Sequence, residues 1–322
     1  MTEALESYSL IAVYSAMAVY TLAFIAYTLD LARRSAPAPA RAGVPVPARA
    51  VGGRATALLE RLATDVPVAA DEKPKASPAQ RSATALTVIA WVLHVGADVL
   101  RGLAAGRVPW ANLFEFTLTA TAIVVGVYLV AGLFVEIRFL GAYIAGIVLV
   151  LLGLATVNFY VPVTPLRPAL QSYWLVIHVF VASLGTGFYA IGAGLSIAQL
   201  LQIRRESRGV GLGFMRTLPT AEKLENLAYR VVLVGFVFWT FTLIAGAIWA
   251  DRAWGRYWGW DTKEVWTFII WVVFAGYIHA RATRGWRGAR SGALAIIGFA
   301  AVIFNFTIVN IYFKGLHSYS GL

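Results

Sequence analysis

Four histidines, at positions 94, 178, 279 and 317, are the only imidazoles in a chain of 322 residues that contains no cysteine. A neutral imidazole ligates transition metals, haem iron above all. Beside them in interest stands the segment from Trp249 to Trp271, WADRAWGRYWGWDTKEVWTFIIW, which holds six of the eleven tryptophans. Gly255 and Gly259 are spaced among Trp254, Tyr257, Trp258 and Trp260, with Asp261 and Trp266 following. Flat rings beside bare backbone hold a broad, flat, apolar ligand by stacking and close approach. The other reading of such a run is an aromatic belt at a membrane surface, but a belt sets one or two rings at a helix end. This run is denser, and it carries Asp261, Lys263 and Glu264. Without cysteine the chain makes no disulfide and performs no thiol exchange of its own, so any cysteine chemistry comes from a partner.

The elements that must position these groups are membrane helices. Hydrophobic residues make up 59% of the chain and charged ones 13%, a composition outside the range of soluble globules. A hydrocarbon core of about 30 Å needs about 20 apolar residues per helix. Eight runs qualify: 8–30, 84–103, 114–135, 139–159, 173–203, 228–250, 263–281 and 292–313. The expected fold is therefore all-α, a polytopic integral membrane protein of about eight transmembrane helices, the fifth long enough to tilt or project. The first run lacks a basic leader, with Glu3 and Glu6 in its place, and reads as a retained helix spanning 1–32. Residues 33–82, rich in Ala, Pro and Arg, read as a disordered loop with a short helix near Thr56–Leu62. Residues 83–322 form the main unit, with 251–262 as its longest outward loop. The connector 204–227 reads as flexible.

Charge sets the orientation. With 33–82 placed on the cytoplasmic side, the loops of that side carry 20 of the 27 Lys and Arg residues. Both termini and the tryptophan segment then face outward, at the cell membrane. The net charge of +11 is absorbed by this sorting and argues for no nucleic-acid partner. Depth then pairs the histidines. His178 falls near the outward start of the fifth helix, and His317 follows the eighth. His94 in the second helix and His279 in the seventh share one depth in the inner half, within about two to four residues. Two histidines at one depth on different helices can take the two faces of one porphyrin, so two haem sites are expected. Asp98 is placed to accept from His94 or to pair with Arg101. Trp91 and Trp174 are placed to stack on a porphyrin, Gly276 to leave it room, and Arg252, Arg256 and Lys263 to meet its propionates.

The run WGRYWGWDTKEVW resembles the WWD signature (WGxxWxWD) of haem-handling cytochrome c assembly proteins. Within that superfamily the chain is most similar to the CcsA/ResC family of System II, called CcsB in some bacteria. RGLAAGRVPWANLFEF, with Arg101, Gly106, Pro109, Asn112 and Glu115, resembles the segment after the family's second helix. SYWLVIHV and GLHSYSGL resemble the segments bearing its external histidines. The likeness covers about 84–322, and departs from the family pattern at Thr262, where proline is common.

The resemblance implies transient binding of haem b. The axial ligands would be His94 with His279 and His178 with His317, and Trp254, Tyr257, Trp258, Trp260, Asp261 and Trp266 would form the platform. It implies haem passed outward for thioether attachment to apocytochrome c Cys-x-x-Cys-His motifs, with a ResB-like membrane subunit completing a haem lyase. Two other functions fit the histidines: a bis-histidine cytochrome b for electron transfer, and a transporter of haem or another flat amphiphile with no covalent step.

Overall fold

The computed structural model describes residues 2–35, 77–165, 170–283, 285–313 and 315–317. Every expected apolar run is a helix: α1 Thr2–Ser35, α2 Pro78–Ala105, α3 Leu113–Phe134, α4 Gly141–Asn158, α5 Tyr173–Arg208, α6 Ala221–Trp254, α7 Thr262–Ala282 and α8 Ala289–Tyr312. There is no strand among the described residues. All eight are long and apolar enough to cross a membrane, where a helix satisfies its own backbone groups without water. Their ends follow local chemistry. Ser77 accepts from Gln80 N with Pro78 at the first helical position, Asn112 accepts from Glu115 N, and Thr220 accepts from Lys223 N. α2 and α6 stop at Gly106 and Gly255, both with positive φ.

Four helices are longer than a bilayer requires: α1 with 34 residues, α2 with 28, α5 with 36 and α6 with 34. Only the fifth was expected to be long. The extension of α6 reaches Trp254, so Trp249 and Trp254 are helical and the loop shrinks from 251–262 to 255–261. Of the loop 33–82, the described residues 33–35 and 77–82 lie at or in helix ends, and the helix expected near Thr56–Leu62 falls outside the described residues. The connector after α5 is tied down rather than loose. Its 3-10 turn Gly213–Thr217 sits on the end of α1, with Phe214 N donating to Ser35 Oγ at 3.0 Å.

The helices pack as two halves. α1 to α4 form one, with α1 laid along α2. The other has α5 along α6, flanked by α8 and α7. They meet mainly where α3 rests on α5. Gly187 permits that approach, because a Cβ there would lie 3.2 Å from Val127. Glu6 near the chain start, the 106–112 and 255–261 loops and His317 all gather at one end of the bundle, called here the tryptophan end.

A buried ionic network braces the first half at that end. Glu115, wholly buried, accepts from Arg101 Nε at 3.1 Å, Arg107 at 2.8 Å and Ala111 N at 2.9 Å. Glu6 bonds Arg101 at 3.0 Å, the Tyr160 hydroxyl at 2.9 Å and Val163 N at 3.1 Å. Arg101 and Arg107 also donate to Val161 O and Thr164 O. The loop bearing Trp110 and Asn112 is thereby fixed to three helices.

Candidate functional site

His178 and His317 come together as expected, and each is held by one ring nitrogen. His178 Nδ1 lies 3.0 Å from the carbonyl oxygen of Thr242 on α6. Its ring rests on bare backbone, since a Cβ on Gly246 would come 2.8 Å from His178 Cε1. His317 Nδ1 lies 2.6 Å from Asp261 Oδ2. A carbonyl and a carboxylate only accept, so both histidines donate from Nδ1 and keep Nε2 as the ligating nitrogen. The two imidazoles touch one indole. Trp249 stacks on His178 with centroids 5.7 Å apart and meets His317 edge-on at 5.4 Å. Trp254 packs against the same His317 at 4.9 Å.

Asp261 has two duties. It caps α7 in a capping box with Glu264, whose Oε2 accepts from Gly259 N at 2.8 Å and from Asp261 N at 3.1 Å. The same carboxylate reaches His317 and accepts from Leu316 N at 3.3 Å. Gly315 is required beside it, because a side chain there would collide with Asp261 Oδ1. Burial pushes the Asp261 carboxyl up. The bond and charge of His317, with the Leu316 and Thr262 amides, outweigh this and hold it below the ordinary value.

Both histidines line two adjoining cavities. The larger encloses about 800 Å³ of atom-free space, its mouth included, between Trp110, Phe116, Trp239, Trp249 and Lys263. The smaller, about 440 Å³, lies under Tyr257 and Trp258. The lining is mainly apolar, as in a cofactor pocket, and it lies where the two halves meet. α8 contributes through a π-helical stretch, Asn305–Val309, that brings Asn305, Phe306 and Asn310 to the larger cavity. Lys263 donates to Asn310 Oδ1 and lies over the Phe306 ring. The donor set, shape and rings fit a porphyrin with two axial imidazoles.

The rest of the tryptophan segment divides. Tyr257 and Trp258 line the smaller cavity, and Trp258 packs edge-on to Trp260 at 5.9 Å. Trp260 is 78% exposed and has φ of 59°, the single positive value among described residues other than glycine. A bulky side chain there is strained. Trp266 packs on Phe304 at 4.4 Å and lines neither cavity. The two glycines differ: Gly255, which ends α6, has open space where a Cβ would sit, and the Arg256 guanidinium covers Gly259. Of the basic residues expected near the propionates, Lys263 lines both cavities, while Arg252 and Arg256 are exposed.

His94 and His279 are not brought together. His94 is wholly buried on α2, with Nδ1 3.4 Å from the Tyr20 hydroxyl on α1, and it lines none of the cavities described here. His279 is exposed on α7. α2 packs in the first half of the bundle and α7 at the far side of the second, so a shared depth along the membrane did not translate into proximity across it. Asp98 meets neither His94 nor Arg101. It accepts from Thr119 Oγ1 at 2.9 Å, while Arg101 is taken by Glu115 and Glu6. Trp91 donates to Ala122 O and covers Gly126, and Trp174 packs beside Leu170 and Leu175.

The cavity residues Trp110, Trp239, Asn305 and Asn310 were missed in the sequence. The two asparagines did leave a signal, since amide groups inside an apolar span are costly and seldom idle. Residues 110–317 match the family described as Cytochrome C assembly protein. The chain is 35% identical over 252 residues to a protein of Trieres chinensis named Cytochrome c biogenesis protein CcsA, covering 69% of this chain and 81% of that one. It is 32% identical over 291 residues to the Gloeobacter violaceus protein of that name, covering 74% and 86%. With the Synechococcus elongatus protein of the same name, identity is 36% over 265 residues, covering 68% and 81%.

Proposed function

The chain belongs to the family of cytochrome c assembly proteins, and from that premise we propose that it acts in cytochrome c biogenesis as the haem-delivering subunit of a System II synthase. Haem is its substrate. It would be received from the cytoplasmic side and presented at the tryptophan end, on the outer face of the cell membrane. There the thiols of an apocytochrome Cys-x-x-Cys-His motif add to the vinyl groups. The observation that carries this reading is the pair His178 and His317, each anchored at Nδ1 and both lining one cavity walled by aromatic rings.

The chain's own part is positional. Thr242 O and Asp261 fix the tautomers, Trp249 spaces the two rings, and the apolar walls exclude water. No acid or base in the cavity is placed for catalysis, and the thioether chemistry belongs to haem and thiol. His279 is exposed on α7. A ligand facing it would come from another subunit, which agrees with the ResB-like partner implied by the resemblance. Electron transfer through two bis-histidine haems would need His94 and His279 on one porphyrin, and their separation argues against that alternative.

Replacing His178 or His317 with Gly tests the reading. Each variant should lose cytochrome c maturation, and added imidazole should restore part of it by filling the vacated axial position. Full maturation by both variants without imidazole overturns the assignment.

A further inference from the structure

Two hydrogen-bond donors in the larger cavity are buried and unused. Trp110 is 9% exposed and Asn112 5%, both line the cavity, and neither Trp110 Nε1 nor Asn112 Nδ2 has a hydrogen-bond partner. Buried donors without partners are rare, and each one calls for an explanation. The Asn112 amide orientation is set by its cap, because Oδ1 accepts from Glu115 N at 2.9 Å, which leaves the NH2 group for something else. The two residues sit on one short loop that the Arg101–Glu115–Arg107 network holds rigid. Lys263, on another wall of the same cavity, offers a further donor. Asn305 Oδ1, another buried and unpaired atom of a residue on the cavity wall, is an acceptor.

We propose that Trp110 and Asn112 form a carboxylate subsite that receives a propionate of the bound porphyrin. This rests on the reading of the cavity as a porphyrin site. Two neutral N–H donors on one rigid loop suit an anion with two acceptor oxygens, and hydrogen bonds to a charged acceptor are stronger than neutral ones. With one propionate held there and the iron between His178 and His317, the porphyrin's rotation about the axial bonds is fixed. That rotation decides which edge carries the vinyl groups to the incoming thiols. The subsite is thus a device for orientation, while the histidines supply attachment.

Metal-free protoporphyrin IX and its dimethyl ester separate these roles, because neither needs an axial ligand. Their affinities for the purified full-length chain in detergent can be read by fluorescence titration. The diacid should bind about tenfold more tightly than the diester, the advantage of a charge-assisted hydrogen bond. Trp110→Phe keeps the ring and removes the donor. Asn112→Asp keeps the capping acceptor and replaces the donor with a like charge. Each should erase most of the preference while leaving diester affinity near that of the parent chain. If Asn112→Asp fails to fold, Trp110→Phe alone decides. Equal affinities in the parent chain, or a preference that survives Trp110→Phe, would mean that these donors hold only water and would overturn the subsite. Failure of both porphyrins to bind would overturn the cavity reading along with it.

Discussion

An imidazole has one nitrogen to give to iron and one to give to the protein, and the second decides whether the first is available. His178 and His317 spend Nδ1 on strong acceptors, whereas His94 Nδ1 lies 3.4 Å from the Tyr20 hydroxyl. An acceptor that is anionic makes the imidazole a more basic ligand and favours ferric iron. Asp261→Asn, which keeps a cap but removes the charge, should therefore raise the midpoint potential of haem bound at His317, measured by redox titration of the purified protein. Since the folded Asp261 carboxyl titrates below its ordinary value, its contact with His317 is fully present above about pH 3.9 and is lost only as pH falls further. Haem retention between pH 5.5 and 8 should be insensitive to this group.

Trp260 supplies the complementary test. With its positive φ relieved, Trp260→Gly should melt no earlier than the parent chain, and up to about 1–3 kcal/mol of backbone strain is available to be recovered. If its ring serves the ligand, the same variant binds less haem. Trp258→Ala with Trp260→Ala should leave an abundant, inserted protein with depleted haem. A full haem complement in that double variant would make the run an aromatic belt.

At the level of elements, the sequence showed what hydropathy controls. All eight helices were legible because lipid allows no other way to satisfy an apolar stretch of backbone. The ends of α1 and α6 were not, because a helix that leaves the bilayer loses its apolar signature and reads as loop, as Asp251 to Trp254 did. The capping box Asp261-Thr-Lys-Glu264 was readable from spacing alone and went unread among the aromatics. It is what shapes the 255–261 loop, through Glu264 bonds to Gly259 N and Asp261 N. Glu264→Ala should cost about 1 kcal/mol of stability and make residues 255–261 the first site of limited proteolysis. The histidine anchors were hidden for another reason: Thr242 lies 64 residues from His178 and Asp261 lies 56 from His317. Only tertiary packing joins them.

Over the whole molecule, the same limit explains the inner pair. Depth along a membrane is read from position in a helix, but neighbourhood across it depends on helix order, which hydropathy does not encode. His94 and His279 were expected to match in the first respect, and their helices are not among those that pack closely together. The ionic network of the first half sets the other global constraint. Glu115→Ala would leave Arg101 and Arg107 buried beside an empty place, and breaking such a pair costs about 3–5 kcal/mol. The expected outcome is a sharp loss of folded protein by detergent melting, larger than for any tryptophan variant at the cavity.

The seam between the halves has a mechanical consequence. The proposed iron ligands belong to α5 and to the tail after α8, while Trp110, Asn112 and Phe116 belong to the other half. A cargo gripped from both sides is a rivet. Loaded protein should resist heat and protease more than empty protein, since a ligand that binds only the assembled form stabilises it. Handing haem to a cytochrome then draws the rivet, and the spent carrier is left as the looser molecule of the two.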